Sequence, residues 1–278
     1  MHLPAPRAAV LLLALAAGCA KTGALPAVQE VDDVFVRAAL ATKAEVEPAP
    51  YMEMTGEVMV PMAGLRFPIR VQMDAPFDSL TSAEVPGLGT ILDGYVDGVA
   101  FEVNPLVGAR IKDGPEASQV ALDSDPRPWS NPAARYPTRR LAGQAEHAGV
   151  TCHVVEASLH HGATERLYFG VEDGLPRGSE RTVHTAMGPV ETRLELYDYA
   201  ELCRGYPTPA RIITHTGPLS QTVVFTACRT EPLPRDLQVP AEILNLRAQS
   251  RALPVPPPTS GEPPHPTLPP DPHAGHGH

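Results

Sequence analysis

The chain has 278 residues, of which 33 are proline and 22 glycine; 19% are charged and only 5% aromatic. Proline at that density argues against a coiled coil or a helical bundle, while an apolar fraction of 43% excludes a wholly disordered chain. With 32 acidic against 22 basic residues the formal charge is −10, which gives no electrostatic reason to bind nucleic acid or an anionic membrane face.

At the N-terminus, Arg7 precedes an apolar run from Ala8 to Ala17, then Gly18 and Cys19. Such a run spans about 15 Å as a helix, half a bilayer core, so residues 1–18 read as a secretory signal and not as a membrane span. Leu15, Ala16, Ala17 and Gly18 before Cys19 resemble a bacterial lipobox. That resemblance implies cleavage before Cys19 and lipidation of Cys19, which tethers the chain to a membrane through two or three acyl chains. Ala20, in place of an aspartate, points to the outer membrane, facing the periplasm. Residues 19–29 then read as a linker away from the anchor.

Val31–Lys43 is the clearest helical stretch. Val31, Val34, Phe35, Ala38 and Ala39 share one face, and Glu30, Asp32 and Asp33 stand at its start. From Tyr51 onward the period becomes two. Met52, Met54, Val58 and Val60, then Phe67, Ile69, Val71 and Met73, alternate with mostly polar residues; Leu167, Phe169 and Val171, and Val190, Leu194 and Leu196, do the same. Turn sequences recur at Pro61–Gly64, Asp93-Gly94, Asp97-Gly98, His161-Gly162, Asp173-Gly174 and Gly188-Pro189. The alternation stops between Asp113 and Arg140, where Pro115–Leu122 suits a short helix and a proline-bounded loop carries Trp129. The expectation is a mainly β fold. A large curved antiparallel sheet of about eleven strands forms an open half-barrel, lidded by one or two short helices. Residues 30–250 make up this domain, and 251–278, with ten prolines, form a disordered tail ending in His265, His273, His276 and His278.

Three cysteines remain beyond Cys19. A hairpin placing His215 opposite Leu219 brings residue 228 opposite 206, so Cys203 and Cys228 are the pair best placed for a disulfide, with free thiols the alternative. Cys152, in a strand-like alternation, reads as a small buried hydrophobe. No G-x-S-x-G, H-E-x-x-H, C-x-x-C or P-loop is present, and His153, His184 and His215 fall on separate strands, so no catalytic residue, cofactor or metal site is assigned. The histidines of the tail suit loose metal capture at most. Five of the seven methionines lie between Met52 and Met73. Flexible, polarizable side chains on the apolar face of a large curved sheet suit a cavity of variable apolar contents, although a plain packed core has the same composition.

Several stretches, in order, resemble the LolA/LolB family of lipoprotein carriers and acceptors. They are the first helix, the Gly56 strand, Gly64-Leu65-Arg66, Gly94 to Gly98 with Asn104-Pro105, Gly149 to Cys152, Tyr168-Phe169 leading to Asp173–Arg177, Tyr197-Asp198-Tyr199, Pro207 to Ile212, and Leu237, Pro240, Ile243 and Leu246. Phe101 and Leu237 depart from the tryptophan and phenylalanine common there. The resemblance implies a non-catalytic, lipid-binding half-barrel whose cavity is lined by Met52, Met54, Val58, Val60, Phe67, Ile69, Val71, Met73, Leu167, Phe169, Leu194 and Leu196. Its ligand is an acylated lipid or lipoprotein, its membrane contact the anchor at Cys19, and a further envelope protein a possible partner. Trp129 is a candidate for membrane contact, with packing beneath the lid as the competing reading. The alternative function is a structural or accessory envelope lipoprotein.

Overall fold

A computed structural model describes residues 25–44, 50–74, 78–125, 128–129, 131–160, 162–186, 188–203, 205, 207–232 and 237–252. The expected signal segment at residues 1–18, Cys19 and the histidine tract of the tail lie outside the described residues. Helix α1 (Val31–Ala41) starts where the sequence places it. The Asp33 carboxylate accepts the backbone N–H groups of Gln29 and Glu30 at 2.7 and 2.9 Å, closing a capping box with Glu30. Val34, Phe35 and Ala38 form its buried face.

Thirteen antiparallel strands follow among the described residues, two more than the sequence suggests: β1 (Tyr51–Val60), β2 (Leu65–Asp74), β3 (Asp78–Val85), β4 (Gly89–Val96), β5 (Val99–Asn104), β6 (Gly108–Ile111), β7 (Thr138–His147), β8 (Val150–Ser158), β9 (Thr164–Gly170), β10 (Pro176–Thr185), β11 (Gly188–Ala200), β12 (Thr208–Thr216) and β13 (Leu219–Arg229). They form one sheet in the order β6-β5-β4-β3-β2-β1-β13-β12-β11-β10-β9-β8-β7. Every neighbour is a hairpin partner except at the β1–β13 seam, where the first and last strands meet. Between β6 and β7, at opposite edges, run helices α2 (Gly114–Asp123) and α3 (Pro132–Arg135). A last helix, α4 (Ala241–Ala252), continues two residues past the expected domain limit at 250.

The sheet is curved, and α2 shows how far. It packs against β4 and β5 near one edge and against β10 toward the other. In strand order β4 is third and β10 tenth. Seven strand spacings would hold them about 34 Å apart in a flat sheet, whereas a ten-residue helix is about 15 Å long. The two ends must therefore curl toward each other around α2, leaving an open half-barrel with a helix inside it.

The sheet does not keep one apolar side. On β1 and β2, Met54, Val58, Val60, Phe67, Ile69 and Val71 point inward. On β3–β6 the apolar side is the outer one, where Leu80, Val96, Val99 and Phe101 form a core with Ile243 of α4. A second core, inside, packs Val34, Phe35 and Ala38 of α1 on Val155, Leu167 and Phe169 with Tyr136. The Asp93-Gly94 pair, read as a turn, lies inside β4. Gly94 is needed there because a Cβ would stand 2.6 Å from the Ser79 carbonyl oxygen of the neighbouring strand. The β12–β13 hairpin is one residue out of the expected register: Thr216 faces Leu219 and His215 faces Ser220, because the turn is only Gly217-Pro218. Cys203 and Cys228 are disulfide-bonded, with Cα atoms 5.2 Å apart. Cys152 is free and fully buried.

Candidate functional site

The inner surface is traced by cross-strand pairs. Met54 faces Val71, which faces Thr81, then Asp93, Glu102 and Arg110. Neighbours opposite one another in an antiparallel sheet project to the same side, so an apolar zone on β1 and β2 passes into a charged zone on β4–β6. In the other direction Val58 faces Val223, Val223 faces Ile212 and Ile212 faces Leu196.

The apolar zone is a floor. Val58, Val223 and Phe225 are buried at its centre, and Met54, Val60, Phe67, Ile69, Val71, Leu202 and Ile212 surround them half-buried. Along β2 the inward residues Phe67, Ile69 and Val71 are half-buried while the outward Arg66, Pro68 and Arg70 are exposed. Met52 and Met73 face each other one row below, the first buried and the second half-buried. Leu194 borders a cleft of about 300 Å³ over β10–β12, with Val183, Val190, Thr192, Thr214 and Thr216. Leu167 and Phe169 stand elsewhere. At 2% and 1% exposure they are core beneath α1, and the Trp129 ring meets Phe169 edge-on at 5.2 Å. Trp129 is thus packed against the inner core. Ile212, Val223 and Phe225 are floor residues that sequence reasoning did not assign, although their alternation along β12 and β13 carried the signal.

Above the charged zone sits α2, held at both ends by ion pairs. Arg110 of β6 donates to Glu116 at 2.6 and 2.7 Å and to Glu102 at 2.5 and 2.9 Å. Lys112 pairs with Asp93. At the other end Arg181 of β10 grips Asp123 at 2.6 and 2.9 Å and Glu165 at 3.1 Å. Arg135 donates to the Leu122 carbonyl at 2.6 Å, and the Ser79 and Ser124 hydroxyls lie 2.6 Å apart. The Arg110 hydrogen bond holds the Glu116 carboxyl below the usual carboxylate range. Burial pushes the Asp93 carboxyl up in spite of Lys112. For Arg181, burial disfavours the charge, but Asp123 and Glu165 outweigh it and the guanidinium stays charged. A cleft of about 420 Å³ separates α2 from β4–β6 and β10, and shares Arg181, Val183 and Thr185 with the smaller one.

Among the described residues, no three His, Cys, Asp or Glu side chains converge as a metal site, and no helix is long and apolar enough to cross a membrane. What the arrangement offers is an apolar floor, polar walls and a helix between them that is held by charge more than by packing.

The fold and its interior define an open antiparallel half-barrel with an internal helix. No family model matches the sequence, and no curated protein matches it. Solved structures are similar to it. A LolA superfamily protein from Nitrosomonas europaea is 15% identical, with a TM-score of 0.48 over 75% of this chain and 96% of that one. An outer membrane lipoprotein-sorting protein domain, so described, from Vibrio parahaemolyticus is 13% identical, with a TM-score of 0.46 over 73% and 95%. A DUF1329 family protein from Desulfovibrio piger is 11% identical, with a TM-score of 0.45 over 71% and 90%.

Proposed function

We propose that the half-barrel binds acyl chains of lipids or lipoproteins on its inner floor, without catalysis, as an acceptor or carrier in envelope lipid or lipoprotein traffic. In this reading Cys19 carries the lipid anchor after removal of residues 1–18, residues 30–250 form the binding unit, and the chain sits at the outer membrane facing the periplasm. One observation carries it: Phe67, Ile69 and Val71 point into the interior yet stay half-buried. Large apolar side chains left partly wet inside a fold gain from a chain laid over them, at about 0.8 kcal/mol per buried methylene. Met54, Val60, Met73, Leu194 and Leu196 extend that surface, Met52 being already buried, and α2 is the element that yields to admit a ligand.

A second reading, a structural or accessory lipoprotein, has one observation in its favour. Val58, Val223 and Phe225 are already buried by their own neighbours, so part of the interior is filled. Native mass spectrometry of the purified chain and of Ile69→Glu separates the two. Discrete lipid masses on the parent that vanish in a folded Ile69→Glu variant support binding. A parent that stays bare after incubation with phospholipid and acylated peptide refutes it.

A further inference from the structure

On β10–β12 the inner side of the sheet changes chemistry within two residues of the floor. The floor row ends in Ile212 facing Leu196. Two residues further along β12, toward its turn, stands Thr214, which faces Leu194, which in turn faces Ser179 on β10. Two further on, Thr216 faces Thr192 and Thr192 faces Arg181. Steps of two keep a side chain on the same side of a sheet, and Ser179, Arg181, Thr192, Leu194, Thr214 and Thr216 all line the cleft of about 300 Å³. Only Arg181 among them is charged, whereas Glu180, Arg193, Glu195 and Arg211 alternate with them on the outer side of the same strands. The Thr192 and Thr216 hydroxyls lie 3.5 Å apart, and no described residue hydrogen-bonds the hydroxyl of Ser179 or Thr214, both half-buried. The larger cleft, which shares Arg181 with this one, has charge but none to spare. Beside His184, Asp93, Glu102, Glu116 and Asp123 stand there against Arg110, Lys112 and Arg181, four carboxylates to three cations, and every one of the three is ion-paired.

We propose that this tier of hydroxyls receives the head of the acylated ligand and selects an uncharged one, made of ester or amide carbonyls and hydroxyls, over an anionic one. The proposal rests on the reading that the floor binds an acyl chain, and adds what stands at the end of that chain. Each step of two residues is about 7 Å along a strand, so a polar group one step beyond a chain lying on Ile212 and Leu196 falls at the Thr214 row. A serine or threonine hydroxyl donates one hydrogen bond and accepts two, so it matches a carbonyl or another hydroxyl without any charge. Left without a partner in a half-dry wall, it costs free energy that such a ligand group recovers. A phosphate also accepts from hydroxyls, but its charge, taken out of water, needs a cation beside it. The nearby cations are already held by a larger number of carboxylates, so an entering anion meets net negative charge.

The test uses the full chain carrying Cys19→Ser, which removes any anchor, and phosphatidylcholine vesicles holding equal amounts of three lipids with the same acyl chains. These are dioleoylglycerol, its monogalactosyl derivative and dioleoylphosphatidylglycerol. After the vesicles are floated away, the lipid left on the protein is extracted and quantified by mass spectrometry. The uncharged lipids are expected to exceed the anionic one about tenfold, and whichever of the two dominates tells a bare glycerol head from a sugar. Thr192→Val with Thr214→Val removes two hydroxyls, keeps their shape and should lower that ratio about threefold or more. Thr192→Ser with Thr214→Ser retains the hydroxyls and should preserve it. Thr214→Lys supplies the free cation that the wall lacks and should turn the preference toward phosphatidylglycerol. Thermal melts followed by circular dichroism check that each variant folds. Equal uptake of all three lipids by the parent, or a folded valine variant that keeps the full ratio, overturns the proposal and leaves the floor reading standing. A parent that takes up none of them overturns both.

Discussion

At the β1–β13 seam, Gly56 faces Phe225, and the register slips beside it, between Thr55 and Gly56. A Cβ on Gly56 would stand 2.2 Å from the Val224 carbonyl oxygen, 2.8 Å from the Phe225 Cα and 2.9 Å from the Val224 carbonyl carbon. All three are backbone atoms, so no side chain can swing aside and the strands must part. Overpacking of this kind costs about 1–3 kcal/mol. A ladder hydrogen bond lost at the seam adds about 1 kcal/mol, giving roughly 3 kcal/mol for Gly56→Ala. The control is Gly64→Ala in the β1–β2 turn. Its φ is +61° with nothing within 4 Å of an added Cβ, so it bears only the left-handed backbone cost, about 1–2 kcal/mol. In urea, with a slope near 2–3 kcal/mol/M, Gly56→Ala should lower the unfolding midpoint by about 1 M and Gly64→Ala by about half that or less. A Gly56→Ala midpoint within about 0.2 M of the parent would refute the close-approach argument.

Three other outcomes are expected. Ile243, fully buried against the outer side of β3–β6, should cost about 2–5 kcal/mol as Ile243→Ala, read by urea unfolding, because α4 covers that core. Burial holds the His147 imidazole below its ordinary pKa. The unfolded chain therefore takes up the proton first as pH falls through about 6.5, and stability drops from there toward the lower folded value. His147→Phe, which keeps a ring on Tyr168, should flatten that part of the curve; an unchanged slope between pH 7 and 5 would count against it. The Cys152 thiol, pushed up to about 11 by burial, should resist alkylation in the native protein and react in denaturant, as peptide mass mapping will show.

Some of this architecture was legible in the sequence because its signal is local. Helix α1 and strands β1, β2, β9 and β11 carry their period within ten residues, and the Cys203–Cys228 pair followed from a hairpin that was right to within one residue. The outer core was not legible. Leu80, Leu92, Val96, Phe101 and Val103 alternate just as Phe67, Ile69 and Val71 do, but they face the other way. A period of two gives two faces without saying which one a helix will cover, and α4 lies more than a hundred residues downstream. The placement of Leu167 and Phe169 beneath α1 is the same ambiguity inside the barrel. The clamp on α2 escaped notice because Arg110, Glu116, Asp123 and Arg181 come together only when the sheet curls.

The seam has a consequence for the order in which the molecule is assembled. Strands β1–β6 and β7–β13 can each zip up from neighbouring hairpins, but β1 finds its second partner only when β13 has been made, with Glu53 opposite Arg229 across most of the chain. Closing so long a loop is slow. A chain made from its N-terminus must therefore keep β1 as a bare sheet edge until its last strand arrives. Any factor that meets the chain before then meets it in two unjoined halves.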